Sequence, residues 1–132
     1  MSDTTTVDEA PRLFAITLFV DDLERLRASY SVAFDAEVVN EDDDSVVFGF
    51  GPTLVNLLSR SAADELVAPW AVGAAATQAR AVFTVAVTDT DAYCQRLGRV
   101  GILLINGPMT RPWGPRTASF ADPDGHVWEI AS

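Results

Sequence analysis

One histidine and one cysteine in 132 residues set the first limits on this chain. A lone Cys94 cannot form an intrachain disulfide, and it excludes Cys₂ and Cys₄ zinc sites. A lone His126 excludes an iron site of two imidazoles and one carboxylate within a single chain. Cations are scarce as well: nine Lys+Arg stand against nineteen Asp+Glu, a formal net charge of −10. That balance argues against nucleic acid or an anionic membrane as partner, because phosphate binding needs clustered cations. It suits a cationic ligand, or solubility alone. No apolar run approaches the ~18 residues of a membrane span. The opening MSDTTTVDEAP lacks the basic and apolar regions of a signal peptide, so a cytoplasmic protein is expected. No glycine-rich phosphate loop is found.

What is present is 48% apolar residues in a length that suits one domain with a proper core. Residues 1–11 read as a disordered lead-in, and 12–132 as a single domain. Arg12–Val20 is rich in β-branched and aromatic residues and reads as a strand buried on both faces. Asp21-Asp22 stands where a helix N-cap belongs, and Leu23, Leu26, Tyr30 and Phe34 recur at helical spacing. Glu37–Asn40 and Ser45–Gly49 form a hairpin around the solvated acidic turn Glu41–Asp44, and Thr53–Leu58 is a further strand. A helical or irregular connector spans 59–79. The pattern then restarts, with a buried strand at Ala81–Val87, Thr88-Asp89-Thr90-Asp91 capping a helix over Ala92–Gly98, and Gly98 closing it with Gly101 just beyond. Strands follow at Ile102–Ile105, Thr117–Ala121 and Val127–Ala131. Asp22 and Asp89 lie 67 residues apart (89 − 22), with Val20 falling on Val87 and Leu18 on Val85. A repeated strand-to-Asp-to-helix entry at fixed offset indicates two copies of one unit. The fold class is α+β, with βαβββ modules over 12–58 and 80–132.

Three stretches carry a family resemblance: Ile16-Thr17-Leu18-Phe19-Val20-Asp21-Asp22-Leu23-Glu24, Arg111-Pro112-Trp113-Gly114, and Phe120 with Asp122-Pro123-Asp124-Gly125-His126 and Trp128-Glu129. On these the chain resembles the vicinal oxygen chelate superfamily of glyoxalase I, bleomycin-resistance proteins and extradiol dioxygenases, over about residues 12–132. The resemblance implies two modules curling into a half-open barrel around a concave ligand site, often in a homodimer. In metal-dependent members four inward positions supply ligands, and here these fall on Ala15, Asn56, Val82 and Glu129. Only Glu129 is an ionisable ligand, the Asn56 amide is a weak one, and the other two have no lone pair. His126 and Glu129 are three apart, an odd separation that points to opposite faces of a strand. No metal and no cofactor are therefore expected.

Strand parity puts Val127, Glu129 and Ala131 on one face and Trp128 and Ile130 on the other. An inner carboxylate is costly unless paired, hydrogen-bonded or wet. Glu129 is thus either a ligand contact or a residue satisfied by Arg111, Arg116 or water, and both readings stand open. Trp113, stiffened between prolines, reads as a stacking surface over a ligand. Trp70 and Phe19 either extend that aromatic wall or belong to the core, the latter favoured. Arg111 and Arg116 either clamp an anionic group or pair with Asp122, Asp124 or Glu129, again the latter favoured. His126 reads as a structural turn residue and Cys94 as a small core residue. The expected ligand wall is Ala15, Thr17, Phe19, Asn56, Leu58, Val82, Thr84, Arg111, Trp113 and Glu129. It suits a flat apolar molecule with one or two polar groups. The expected function is sequestering or sensing a small organic ligand. The competing expectation is a lyase, isomerase or dioxygenase, either with a metal completed by a dimer partner or solvent, or metal-free with Glu129 as acid–base.

Overall fold

Two aspartates start the two long helices, and they set the plan of the molecule. The Asp22 carboxylate accepts from the Arg25 N–H, and the Asp89 carboxylate accepts from the Ala92 N–H. Each satisfies a donor that the first helical turn leaves free. The structure is a computed structural model that describes residues 11–75 and 78–132. The lead-in assigned to 1–11 lies, up to residue 10, outside the described residues.

The first module runs β1 (Ala15–Val20), α1 (Leu23–Phe34), β2 (Val38–Glu41), β3 (Ser45–Phe50) and β4 (Thr53–Ser59). A helix, α2 (Arg60–Val67), occupies the start of the connector. The second module repeats the order with β5 (Val82–Ala86), α3 (Thr90–Arg99), β6 (Leu104–Thr110), β7 (Arg116–Ala121) and β8 (Val127–Ala131). The sheets have matching orders, β1-β4-β3-β2 and β5-β8-β7-β6, and are not closed into a barrel. In both, the first strand pairs in parallel with the last, and all other pairings are antiparallel. No described helix is long and apolar enough to cross a membrane.

Three expectations change. β1 and β5 are not buried on both faces: each is the edge strand of a four-stranded sheet, and Val82 on β5 is 52% exposed. Gly98 lies inside α3 rather than closing it. The chain leaves α3 at Gly101, in the left-handed region at φ 85°, and the Ile102 N–H returns to the Leu97 carbonyl. β6 extends to Thr110 because two bulges carry it past the glycine and proline that would stop a regular strand. Gly107 sits in one of them at φ 86°, and a Cβ there would lie 2.5 Å from the Thr117 carbonyl oxygen. Only glycine fits that approach. The acidic tip keeps its expected role, with Asp42 accepting from the Asp44 and Ser45 N–H groups.

One apolar core serves both modules. Leu18, Val20, Val46, Phe48, Val55 and Leu57 from the first sheet share it with Ala118, Phe120, Trp128 and Ile130 from the second. The helix-bearing sides of the two sheets therefore meet through a cluster of aromatic rings. Tyr30 stacks on Phe48 and meets Trp128 edge-on, and Phe34 touches Phe50, Phe120 and Trp128.

At the centre of this cluster lies a buried polar link. The Tyr30 hydroxyl donates to Asp122 at 2.7 Å and accepts from the Trp128 indole N–H at 2.9 Å. Burial and the nearby Asp122 push the Tyr30 hydroxyl far up, so it stays a donor. Asp122 also accepts from the Asp124 and His126 N–H groups and contacts His126 Nδ1 at 2.8 Å. Alongside, the Asp21 N–H donates to the Asp124 carboxylate at 2.8 Å. The two sequence stretches at Val20–Asp22 and Asp122–His126 thus meet in space. At the other end of α1, Tyr93 and Arg96 from α3 donate to its last carbonyls, including that of Ala33. Cations favour that end of a helix. The ion pairs Arg27–Glu41, Arg60–Asp21 and Arg116–Asp91 have side chains 40–51% exposed. Solvent and salt screen such exposed pairs, so the core and the Tyr30 link decide the packing.

Tyr30→Phe removes a buried hydroxyl and leaves Asp122 and the Trp128 N–H each short of a partner. It is expected to destabilise by about 1–3 kcal/mol in urea titration. The hydrogen bond to Asp122 raises the His126 pKa, and burial only partly opposes it. Burial pushes Asp122 up, but the hydrogen bonds from His126 and Tyr30 outweigh it and hold the carboxyl below its usual range. The histidine contribution is therefore full below about pH 6.5 and fades as pH rises through its higher folded value. The Asp122 contribution is present above about pH 4 and fades on acidification. The melting temperature is expected to fall between pH 6 and 9, and His126→Asn to flatten that fall. Gly107→Ala is expected to cost about 1–3 kcal/mol by the same titration, through overpacking against β7.

Candidate functional site

With the helix-bearing sides joined, each sheet turns its other face away from the shared core, and alternation decides which side chains stand there. On β1 and β4 the inward residues are Leu18, Val20, Val55 and Leu57, so Thr17, Phe19, Asn56 and Leu58 stand on the outer face with Ala15. On β8 Trp128 and Ile130 are buried, so Glu129 stands outward, opposite Thr84 of β5. Register extends each position into a row across the whole sheet. In the first sheet it reads Thr17, Asn56, Val47 and Asn40, one from each strand. In the second it reads Thr84, Glu129, Ser119 and Asn106. Thr17 and Thr84 are 67 residues apart, the same offset as the two N-caps.

The rows differ in charge. Asn56 donates from Nδ2 to the Thr17 hydroxyl at a long 3.5 Å, and its buried Oδ1 has no partner among the described residues. In the second row the Thr84 hydroxyl donates to Glu129 Oε1 at 2.9 Å. Among the described residues no arginine pairs with Glu129. Arg116 turns to Asp91, through bonds of 2.9 and 3.1 Å from Nε. Arg111 lies along the same face as Glu129, donating from Nε to the Thr117 hydroxyl at 2.8 Å and from a terminal nitrogen to Asn106 Oδ1 at 3.2 Å. The favoured pairing of either arginine with Asp122, Asp124 or Glu129 is thus corrected. Asp122 is already filled by Tyr30, His126 and backbone donors, and Asp124 accepts from Asp21.

Trp113 stands at the tip of the β6–β7 loop, 73% exposed, with its ring 5.8 Å from the Arg111 guanidinium carbon. Backbone bonds from Arg111 to Pro115 and from Gly114 to Arg111 close the loop. Trp70 is 81% exposed and belongs neither to the core nor to this face's row. Cys94 is half-buried on α3, where burial and then Asp91 push its thiol up, away from the reactive thiolate.

The expected wall therefore divides between two sheets: Ala15, Thr17, Phe19, Asn56 and Leu58 on one, and Val82, Thr84, Arg111, Trp113 and Glu129 on the other. A groove of about 600 Å³ runs along the free edge of β5, where Ile16, Val55, Phe83 and Trp128 join Val82 and Thr84. Sequence reasoning missed Asn106, Thr117 and Ser119. The alternation of Thr117 and Ser119 with Ala118 and Phe120 was the available signal, while the bulges hid Asn106.

A metal does not fit these residues. Ala15 and Val82 offer no donor, Glu129 is the one carboxylate in its row, and Nδ1 of the one imidazole is bound to Asp122. Among the described residues no three His, Cys, Asp or Glu side chains gather.

Comparison with known proteins agrees with the geometry of the fold. No curated protein matches the chain. Solved structures that resemble it include a glyoxalase-related enzyme from Fulvimarina pelagi, at 23% identity and TM-score 0.76, over 91% of this chain and 86% of that one. A lactoylglutathione lyase from Agrobacterium tumefaciens is similar at 21% identity and TM-score 0.73, over 91% and 92%. A glyoxalase/bleomycin resistance protein/dioxygenase from Nocardioides has 21% identity and TM-score 0.76, over 92% and 82%. At these identities the likeness speaks for the fold alone. The sequence profile of one family matches residues 12–130. With that match and the doubled βαβββ plan, the chain belongs to the Glyoxalase/Bleomycin resistance protein/Dioxygenase superfamily.

Proposed function

We propose that this protein binds a small organic ligand without a metal, sequestering or sensing it on the outer face of the second sheet. The observation that carries the reading is Glu129: a carboxylate held by the Thr84 hydroxyl on an open face, with no cation paired to it among the described residues. A carboxylate so placed accepts hydrogen bonds from a guest or balances its positive charge. The loss of donors at Ala15 and Val82 supports binding by side chains rather than by coordination.

A homodimer is part of this reading. The two rows face away from the shared core, so one chain alone encloses neither. Leu13, Phe14 and Val82, at or beside the free edges of β1 and β5, are 63%, 59% and 52% exposed. Unpaired strand edges with apolar residues favour covering by a second copy. The partnerless Asn56 Oδ1 fits the same need for an incoming group.

The competing reading is metal-free acid–base catalysis by Glu129, which the oriented Thr84 contact also supports. Protein purified without chelator is expected to hold less than stoichiometric nickel, iron or zinc by elemental analysis. Tight stoichiometric metal dependent on Glu129 would overturn the proposal. In a thermal-shift panel of aromatic and cationic metabolites, at least one compound is expected to raise the melting temperature. Glu129→Gln is expected to reduce that shift; lost turnover with retained binding would favour the enzyme. Light scattering is expected to give twice the 14.2 kDa chain mass, and a monomer at micromolar concentration counts against the dimer.

A further inference from the structure

The second sheet carries two opposite charges on one face, and neither is neutralised by the other. Glu129 is bound by a neutral hydroxyl. Arg111 is bound by a neutral hydroxyl and a neutral amide oxygen, which fix its guanidinium in place and leave further N–H donors unused. The Arg111 side chain reaches back along β6 to Asn106, and Asn106 lies across Ser119 from Glu129. Two strand spacings, about 10 Å, separate the backbones that carry Asn106 and Glu129. The two charged heads form no ion pair with each other, and solvent on the open face weakens the attraction between them when no guest is bound. Ser119 is only 7% exposed, and it supplies a low, small floor between the two charged heads. Trp113 adds a flat apolar surface beside the cationic end.

From this we infer that the face selects small zwitterions with a planar body, seating a protonated amine on Glu129 and a carboxylate on Arg111. A guest with both groups replaces two solvated charges by two charge-assisted hydrogen bonds, and the planar body covers the row between them. A guest with one charged group leaves the other charge of the face unmatched. Arginine suits the carboxylate end because its fork can present two parallel N–H groups. The inference rests on the reading of Glu129 as a ligand contact and adds the polarity of the guest.

The test uses the full chain and three probes in isothermal titration calorimetry. These are 4-(aminomethyl)benzoate, with both charges at opposite ends of a ring, benzylamine, with the cation alone, and 4-methylbenzoate, with the anion alone. The zwitterion is expected to bind about tenfold or more tightly than either half. Glu129→Gln is expected to remove its advantage over 4-methylbenzoate, and Arg111→Gln its advantage over benzylamine. Because Arg111 also ties Thr117 to Asn106, Arg111→Lys provides a second variant that keeps the charge and is expected to retain part of the advantage. Amide chemical-shift changes are expected at Ser119 and Asn106. If benzylamine binds as well as the zwitterion and Arg111→Gln changes nothing, the zwitterion assignment fails while the ligand-contact reading survives. If none of the three probes binds, or binding ignores Glu129, both fall.

Discussion

The Tyr30 hydroxyl is the point on which the rest of the structure turns. It joins the first helix to the β7–β8 turn through Asp122 and to β8 through Trp128, and it does so inside an aromatic cluster that excludes water. A buried phenol, a buried carboxylate and a buried indole are each costly alone. Together they satisfy one another, and the geometry that satisfies them allows one placement of the two modules. Around this link, apolar burial supplies the bulk of the stabilisation and the polar contacts supply the alignment.

That alignment decides what remains available for function. Because the helix-bearing sides are used up in holding the modules together, the opposite faces of both sheets are left open. Polar side chains there, some of them low in the sheet like Thr117 and Ser119, appear at matching positions such as Thr17 with Asn56 and Thr84 with Glu129. The bulges of β6 bring Asn106 into line with Ser119, and the tight approach of Gly107 to β7 keeps it there. The Arg111 guanidinium then has two fixed acceptors and a defined direction. A long, mobile side chain becomes part of a surface through contacts made by the strand pairing itself.

Much of this plan was legible in the sequence. The repeated Asp caps and the apolar runs before them marked the two modules, and the alternation in Val127–Ala131 put Glu129 and Trp128 on opposite faces, although the inner side expected for Glu129 is the face turned away from the shared core. The Asp-Pro-Asp-Gly-His stretch marked a turn, and the structure makes that turn the partner of Tyr30. What stayed hidden depended on long-range neighbours. An apolar strand reads the same whether it is central or at an edge, so β1 and β5 looked more buried than they are. The destinations of Arg111 and Arg116 could not be inferred from composition, since each had several acids within plausible reach. Asn106 was obscured because a bulge breaks the two-residue period on which such readings depend.

The paired rows give the molecule a built-in comparison. Thr17 beside Asn56 and Thr84 beside Glu129 occupy equivalent places in duplicated halves, differing at the second position by an amide in place of an acid. The earlier half keeps the polar shape without the ionisation, while the later half adds the ionisation. Behaviour that follows one half and not its twin then has to come from what the second row adds: the Glu129 carboxylate, Ser119 in place of Val47, and the Arg111 guanidinium beside Asn106.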